Sequence, residues 1–459
     1  MVRYQLKPLF QIVRFIFGVF VLFSCTASQP PTMISETEPR VVQKIRSQQA
    51  LLKTILPKTA DVAYPITLNP LASFYRSLDR FPGRYTQVNI LHLGDSHTAG
   101  DQFSGRLRQL FQARFGSAGR GMLPVGKPFP YFRPSNVSLW QSQGWQVSNS
   151  RKTSTKGPYG LSGFRIQSAD PKQAIRLKMT DGTRFDEIDI EFQRHPKGGT
   201  MVVEVDKWPF FEIRTESSRD YVDRHRLTIP GGGSRVKISP KGDGPIKLLS
   251  WTFRRNQFGI IYHSHGIVSA TINVINQWSR NVVSWEMVWL EPSLIIVAYG
   301  TNEGFHDDLN WDEYKQDFQA RLALLHRSAP QASIVVVGPP DANRLPRYCQ
   351  KRQEVDCEPL TPYEIEHYIA LRQEKNEQLC RWHPPPKLNV VREIQREVAA
   401  EAGYFFWDWS TVMGGACGTH TWSQEKPRLA GKDHVHFSQR GYKLTADALF
   451  KALMADYSG

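Results

Sequence analysis

One apolar run constrains the fold of this chain more than any other segment. Residues 293–299 read SLIIVAY, the near-continuous pattern of a strand that is buried on both faces, as in a parallel sheet. Apolar residues at helical spacing follow over 311–325, and a second apolar strand is predicted at 333–337. Strands and helices go on alternating through 258–459. This alternation predicts an α/β fold with a doubly wound, mostly parallel sheet.

The same sheet has an earlier unit that is separated from the rest. A strand is predicted over 87–93, and a helix follows with apolar residues at helical spacing between 103 and 115. Residues 131–257 differ in character, because short alternating segments are separated there by turn signals such as PGGG and KGDG, with no helix between them. This pattern predicts a β-sandwich inserted into the α/β domain. The predicted strands of the insert are 175–179, 188–192, 201–205, 210–213, 226–229, 236–238 and 246–253.

The N-terminus predicts where the protein works. Positive charge in MVRYQLK precedes the uncharged run FIFGVFVLFS at 15–24, which is typical of an export signal. The following LFSC resembles a bacterial lipoprotein processing box, in which Cys25 is acylated; ordinary cleavage and an uncleaved anchor are the alternatives. We therefore expect a protein of the periplasm or cell envelope, with membrane attachment through the N-terminus as one option.

These patterns divide the chain into five parts. A signal occupies 1–25, and a tether with a helix near 41–55 occupies 26–60. The α/β domain takes 61–130 and 258–459, on either side of the inserted sandwich at 131–257.

Charge indicates the kind of partner. The net charge is +15, and residues 131–257 alone hold 22 Lys and Arg against 13 Asp and Glu, a balance of +9. A basic chain favours an acidic partner such as nucleic acid, anionic lipid or an acidic polymer. No nucleic-acid motif occurs, so we expect an acidic polysaccharide, with a merely soluble basic surface as the alternative. The 12 tryptophans and 16 tyrosines fit either carbohydrate stacking or core packing.

Four cysteines follow Cys25, and an even number in an exported chain indicates disulfides. The short loop favours Cys349–Cys357, which leaves Cys380–Cys417 as the second pair. A zinc site is the alternative, but no CxxC pair occurs and the spacings do not fit one. We expect neither metal nor cofactor.

A candidate nucleophile, Ser96, follows the first strand within LGDSHTAGD. A serine hydroxyl needs a base, the base is usually histidine, and the histidine needs a carboxylate to orient it. Asp433 and His436, three residues apart before a predicted helix, fit these two roles. His434 is a competitor with poorer geometry because it adjoins Asp433. Taken alone, Ser96 is better explained as a helix N-cap, and for Asp433 and His436 the alternative is a loop with surface histidines.

An acyl-transfer site also needs donors for the oxyanion. Asn302 follows the buried strand in YGTNE and can offer its side-chain amide. Gly266 follows the strand predicted at 259–262 and can expose a backbone N–H; an ordinary turn glycine is the alternative. The backbone N–H of Ser96 completes the predicted oxyanion hole.

These blocks together resemble a family. GDS at 94–96, Gly266, GTN at 300–302 and Asp433-x-x-His436 stand in the order of the four blocks of SGNH (GDSL-type) hydrolases. The resemblance covers 88–115 and 258–459. It implies a flavodoxin-like fold, Ser96 as nucleophile, His436 as base, Asp433 as its partner, and an oxyanion hole of Ser96, Gly266 and Asn302.

A narrower resemblance rests on GDSHTAGD, AYGTNE, FFWDW followed by MGG, and DHVHFSQRGY. These segments are similar to bacterial O-acetylpeptidoglycan esterases, some of which carry an inserted sandwich of the carbohydrate-binding-module type. Around Gly266 the chain departs from the pattern, because Ser269 and Ala270 stand where many members have a second glycine.

The narrower resemblance implies a serine esterase that removes the acetyl group from the C6 hydroxyl of N-acetylmuramic acid in peptidoglycan. An O-acetyltransferase, or an acetylesterase acting on another envelope polysaccharide, is the first alternative. A non-catalytic polysaccharide-binding protein is the second.

Overall fold

The computed structural model describes residues 69–80, 86–350 and 355–459. The predicted signal, Cys25 and the tether with its helix near 41–55 lie outside the described residues. The α/β and sandwich parts both lie in one compact unit, Leu68–Gly459.

Strands are numbered along the described chain. They are β1 (Gln87–Gly94), β2 (Gly121–Pro124), β3 (Val137–Gln141), β4 (Gln146–Asn149), β5 (Phe164–Ser168), β6 (Ile175–Met179), β7 (Phe185–Arg194), β8 (Thr200–Val205), β9 (Phe211–Arg214), β10 (Tyr221–Gly233), β11 (Arg235–Pro240), β12 (Ile246–Arg254), β13 (Gly259–Gly266), β14 (Pro292–Ala298), β15 (Ser333–Gly338) and β16 (Phe405–Asp408).

Helices are numbered in the same way. They are α1 (Ala72–Leu78), α2 (Ser96–Ala99), α3 (Phe103–Phe115), α4 (Arg280–Leu290), α5 (Thr301–Gly304), α6 (Trp311–Ser328), α7 (Pro362–Glu366), α8 (Tyr368–Gln373), α9 (Leu388–Glu401), α10 (Gly418–Gln424) and α11 (Gln439–Leu453). Short 3₁₀ helices cover Ile272–Gln277, Arg347–Cys349, Glu377–Leu379 and Trp409–Met413.

The central sheet is parallel, with the strand order β13-β1-β14-β15-β16. Numbered within this sheet alone, that order is 2-1-3-4-5, the flavodoxin-like arrangement that was expected. Ligands in such sheets bind beyond the carboxyl ends of the strands, next to the point where the strand order reverses. Here β1 lies at that point, between β13 and β14.

Both faces of this sheet are buried. Leu91 and Leu93 of β1 face one apolar core, with α4, α6 and α9, while Val88 and Ile90 face a second core, with α1, α3 and α11. Alternate residues of a strand point to opposite faces, so burial on both sides explains the near-continuous apolar runs of β14 and β15. This confirms the predicted doubly wound architecture.

Two antiparallel sheets form the predicted sandwich. One has the order β10-β7-β12-β5-β4 with β2 also paired to β12, and the other has the order β3-β6-β11-β8-β9. Their inner faces share one apolar core. β6 has the predicted bounds, whereas β2 to β5 were not predicted. β2 lies before residue 131 and still pairs with β12, so the sandwich includes a strand from the chain segment that precedes the predicted insert.

The sandwich packs on α4 through charged and aromatic groups. The Arg224 guanidinium lies 3.4 Å from the ring centroid of Trp289 and 4.0 Å from that of Trp285. The fully buried Glu286 accepts a 2.7 Å hydrogen bond from the Leu161 N–H. Burial, followed by the neighbouring Glu191 carboxylate, raises the pKa of Glu286 well above its usual range.

The disulfides are Cys349–Cys380 and Cys357–Cys417, so the predicted pairing was wrong. The cause is tertiary. The segment at Cys357 forms a β-bridge with Trp382, and Cys349 lies buried in a 3₁₀ turn from which it reaches Cys380. Short spacing along the chain therefore did not decide the pairing.

Within the ranges described above, no helix is long and apolar enough to cross a membrane.

Candidate active site

A sharp turn at the end of β1 places Ser96 at the sheet edge. β1 ends at Gly94, where a Cβ atom would lie 2.2 Å from Thr98 Oγ1 and 2.8 Å from the Ala298 carbonyl oxygen, so only glycine fits. Asp95 then caps α2 by accepting a 2.9 Å hydrogen bond from the His97 N–H. Asp95 therefore has a structural role in this turn, and its burial raises its pKa to about 6.

The loop before α11 brings an imidazole to this serine. His436 Nε2 lies 2.9 Å from Ser96 Oγ, and His436 Nδ1 lies 2.6 Å from Asp433 Oδ2. Asp433 Oδ1 also accepts hydrogen bonds from the backbone N–H groups of Val435 and His436, at 3.2 and 3.1 Å. The three predicted side chains thus form one continuous serine–histidine–carboxylate chain.

The electrostatics of the loop suit a general base. Burial disfavours the charge on Asp433, but hydrogen bonds from the His436 side chain and from the loop backbone outweigh it and lower the pKa of Asp433 to about 2. The hydrogen bond to Asp433 raises the pKa of His436, with burial opposing. Asp433 therefore stays ionised while His436 accepts a proton, which is the division of roles that serine acyl transfer requires.

Neither His434, the competitor named above, nor His97, which adjoins the nucleophile, takes this position. His97 is buried and hydrogen-bonded through Nδ1 to the Tyr442 hydroxyl at 2.9 Å, and burial lowers its pKa well below the usual range. His434 stacks on Trp382 with a ring separation of 3.7 Å and contacts Ser423 Oγ through Nε2 at 3.1 Å. Burial lowers its pKa to about 4. Both act as packed, neutral rings.

Asn302 lies in α5, directly after β14, at the same edge of the sheet as Ser96. Its Nδ2 donates a 2.8 Å hydrogen bond to the Ala270 carbonyl oxygen. A side-chain amide carries two N–H bonds, so the second one is left for another acceptor. Asn302 can therefore donate to a developing oxyanion while it is held in place by the turn after β13.

Gly266 is the last residue of β13 and lies opposite Gly94 in the parallel ladder. The Ile267 N–H donates to the Gly94 carbonyl at 3.0 Å, and successive N–H groups of a strand point to opposite sides, so the Gly266 N–H points away from β1. The oxyanion role of Gly266 stays a prediction that this orientation does not favour. A packing reason for the glycine is clear, because a Cβ atom there would lie 2.1 Å from the Ala99 nitrogen.

The turn after β13 contains features that sequence reasoning missed. The Ala270 N–H donates to the Ile267 carbonyl at 3.1 Å, and Ser269 has φ of 58°, in the left-handed region that favours glycine. The sequence shows that a second glycine is missing here, but it contains no local signal of the hydrogen bond from Asn302 to Ala270. Only the folded chain brings these two residues together.

The site is open. The side chains of His436 and Asp433 are 46% and 50% exposed. Within the catalytic loop, His434 stacks on Trp382 and its carbonyl oxygen accepts a 2.8 Å hydrogen bond from the Asn343 N–H. These contacts were not predicted, because the disulfides and the β-bridge that hold the Trp382 segment cannot be deduced from spacing along the chain.

Comparison with known proteins agrees with this geometry. Residues 243–449 match the GDSL-like Lipase/Acylhydrolase family, a segment that contains Asn302, Asp433 and His436. Ser96 lies outside that segment and is joined to it by the pairing of β1 with β13 and β14. This match covers less than half of the chain; together with the parallel sheet and the serine–histidine–carboxylate chain, it indicates a carboxylic ester hydrolase of the SGNH type.

The fold is also similar to that of a solved esterase structure. A peptidoglycan O-acetylesterase is 23% identical with a TM-score of 0.66, and the match covers 85% of this chain and 96% of that one. A family two carbohydrate esterase from Clostridium thermocellum is 10% identical with a TM-score of 0.29, covering 69% and 99% of the two chains. An acetyl xylan esterase is 15% identical with a TM-score of 0.27, covering 42% and 81%. No curated protein matches the sequence at a significant level.

Proposed function

We propose that this chain is a serine esterase that removes O-acetyl groups from cell-wall polysaccharide, and that its substrate is the C6 O-acetyl group of N-acetylmuramic acid in peptidoglycan. The observation that carries the proposal is the serine–histidine–carboxylate chain, which lies half-exposed at the sheet edge where a polymer can reach it. The shared fold with a peptidoglycan O-acetylesterase supports the choice of polymer.

The reaction proceeds in two acyl-transfer steps. Ser96 Oγ attacks the acetyl carbonyl carbon while His436 Nε2 takes the hydroxyl proton, and Asn302 donates to the oxyanion. The bond to the sugar oxygen breaks as His436 returns the proton to that oxygen. Water then attacks the acetyl-Ser96 ester, His436 carries its proton to Ser96 Oγ, and acetate leaves.

The identity of the polymer is tested by comparing kcat/KM on O-acetylated peptidoglycan, on the same material after mild alkaline de-acetylation, and on acetylated xylan. We expect acetate release from the first only. Efficient hydrolysis of acetylated xylan together with none of peptidoglycan would overturn the proposed substrate. Appearance of the acetyl group on an added sugar acceptor, in place of free acetate, would identify an O-acetyltransferase instead.

We further propose that the sandwich holds the acidic polymer. A groove of about 480 Å³ beside the β8–β9 turn is lined by Arg184, Lys207, Arg235 and the indole of Trp208. Trp208 is 41% exposed, and Asp206, also in the lining, neutralises only part of this charge through a 3.1 Å ion pair with Arg235. An exposed ring flanked by cations suits a sugar that carries carboxylates.

Trp208→Ala tests the role of the groove, with Trp140→Ala as the matched control, since Trp140 is 46% exposed on β3 at the opposite edge of the same sheet. We expect the first variant alone to lose binding to sedimented peptidoglycan, while both hydrolyse 4-nitrophenyl acetate like wild type. Unchanged binding by Trp208→Ala would refute the groove. Loss of binding and of small-ester hydrolysis together would assign the sandwich a purely structural role.

We propose a location in the periplasm or cell envelope, with attachment through acylated Cys25. The two disulfides are consistent with an oxidising compartment. Fractionation of expressing cells, with and without Cys25→Ser, tests both points: loss of membrane association in the variant supports lipidation, and unchanged association contradicts it.

A further inference from the structure

Glu303, the residue after Asn302, is a buried carboxyl that the acyl-transfer mechanism does not use. It is 2% exposed, and its Oε1 accepts a 2.8 Å hydrogen bond from the Ile272 N–H. Its Oε2 has no hydrogen-bond partner within the described part of the chain. A buried polar group is costly unless it is bonded, so the contact with Ile272 has a structural or functional reason.

That contact lies in the segment after β13 that also binds Asn302. Ile272 begins the 3₁₀ helix Ile272–Gln277, whose N-cap residue, Thr271, provides no side-chain hydrogen bond of its own. Two residues earlier, the Ala270 carbonyl oxygen accepts the hydrogen bond from Asn302 Nδ2. Two successive residues of α5 therefore hold the short segment 270–272. Asn302 donates to the Ala270 carbonyl oxygen, and Glu303 accepts from the Ile272 N–H.

This segment follows β13 after three residues. The last residue of β13, Gly266, lies against the Ala99 backbone at the end of α2, the helix that begins with Ser96. Ala270 and Ile272 are each 1% exposed and pack in the core that Leu91 and Leu93 of β1 also face.

We propose that Glu303 is a positioning residue that sets the orientation of the Asn302 amide by fixing the segment from Ala270 to Ile272. This inference rests on the proposed oxyanion role of Asn302. Glutamine has the shape of the carboxyl group without its charge, and burial raises the pKa of Glu303 to about 7, the direction that favours the uncharged form. Glutamine keeps an acceptor oxygen for the Ile272 N–H, whereas alanine removes it.

Steady-state hydrolysis of 4-nitrophenyl acetate tests the proposal without reference to the polymer. We expect Glu303→Ala to lower kcat by roughly 10- to 100-fold with KM little changed, because a small displacement of a donor is enough to cost that much. Glu303→Gln should stay within about threefold of wild type. Equal losses of kcat in both variants, or a full kcat in Glu303→Ala, would overturn the proposal.

Glu286→Ala is the matched control, since Glu286 is also a fully buried carboxyl that accepts one backbone N–H, that of Leu161. We expect it to lower the melting temperature but not kcat. A comparable fall of kcat in Glu286→Ala would show that general softening, and not positioning, explains the effect.

Hydrogen exchange gives a readout that does not depend on activity and separates this inference from the proposed function. In the peptide that contains Ile272, exchange should be faster in Glu303→Ala than in Glu303→Gln, Glu286→Ala or wild type. Unchanged exchange would refute the positioning role of Glu303 even if the chain hydrolysed no ester. A Ser96→Ala variant that retains activity would refute the proposed nucleophile. Hydrogen exchange alone would then test the positioning role of Glu303.

Discussion

Asp433 and His436 join through a 2.6 Å hydrogen bond between Oδ2 and Nδ1 within a single four-residue loop. This contact is the largest cause of the raised pKa of His436, while the pKa of Asp433 is lowered to about 2. His436 works as a base only when it is neutral, and its neutral fraction grows as the pH rises. The pH dependence of the enzyme is therefore set in this loop.

The first prediction concerns that pH dependence. The acid limb of kcat/KM on 4-nitrophenyl acetate should have its midpoint above 6.5, the ordinary value for histidine. Asp433→Asn should move the midpoint down and lower kcat by as much as about 10⁴-fold, because the amide no longer selects the productive tautomer. An acid limb that is identical in wild type and variant would contradict the assignment of Asp433.

The second prediction concerns the oxyanion. Asn302→Ala should lower kcat by about 10² to 10³-fold, the typical effect of removing one donor that acts in the transition state. The melting temperature should change little, since the lost hydrogen bond to the Ala270 carbonyl contributes only about 1 kcal/mol. A variant with normal kcat would remove Asn302 from the reaction.

The third prediction concerns the disulfides. Peptide mapping without reduction should recover Cys357 joined to Cys417 and Cys349 joined to Cys380. Cys417→Ser should destabilise the protein by about 2–4 kcal/mol in urea, because it opens a loop of 60 residues in the unfolded chain. Recovery of a Cys349–Cys357 peptide would contradict the fold around Trp382.

The fourth prediction concerns the join between the sandwich and α4. Trp289 contacts the guanidinium groups of both Arg224 and Arg254, whereas Trp285, which is 41% exposed, contacts just one among the described residues, that of Arg224. Trp289→Ala should therefore lower stability by about 1–3 kcal/mol, and Trp285→Ala by less. Thermal unfolding of the two variants measures the difference, and a larger effect at Trp285 would be inconsistent with this packing.

Much of the fold could be predicted from local sequence patterns. The apolar runs of β14 and β15 and the helical spacing of α3 and α6 are strong signals, because burial on both faces of a sheet or on one face of a helix shapes the sequence directly. Ser96, Asp433 and His436 were found because their chemistry requires those residue types at strand ends and loops, and the structure brings them together. The short strands β2 to β5 gave weaker patterns, and β2 is joined to the sandwich only by its pairing with β12.

Tertiary contacts account for what the sequence did not predict. The disulfide partners, the stacking of Trp382 on His434 and the hydrogen bonds of Asn302 and Glu303 with the segment after β13 all join residues that are distant along the chain. Gly266 illustrates the limit of motif reasoning, since its close approach to Ala99 explains the glycine without an oxyanion role.

The most direct test of the central claim is the rate of acetate release from native O-acetylated peptidoglycan by wild type and by Ser96→Ala. We predict steady release by wild type and a loss of at least about 10³-fold in the variant, because the remaining donors cannot replace the nucleophile. Release at the wild-type rate by Ser96→Ala would contradict the account, whatever the two proteins do to small esters.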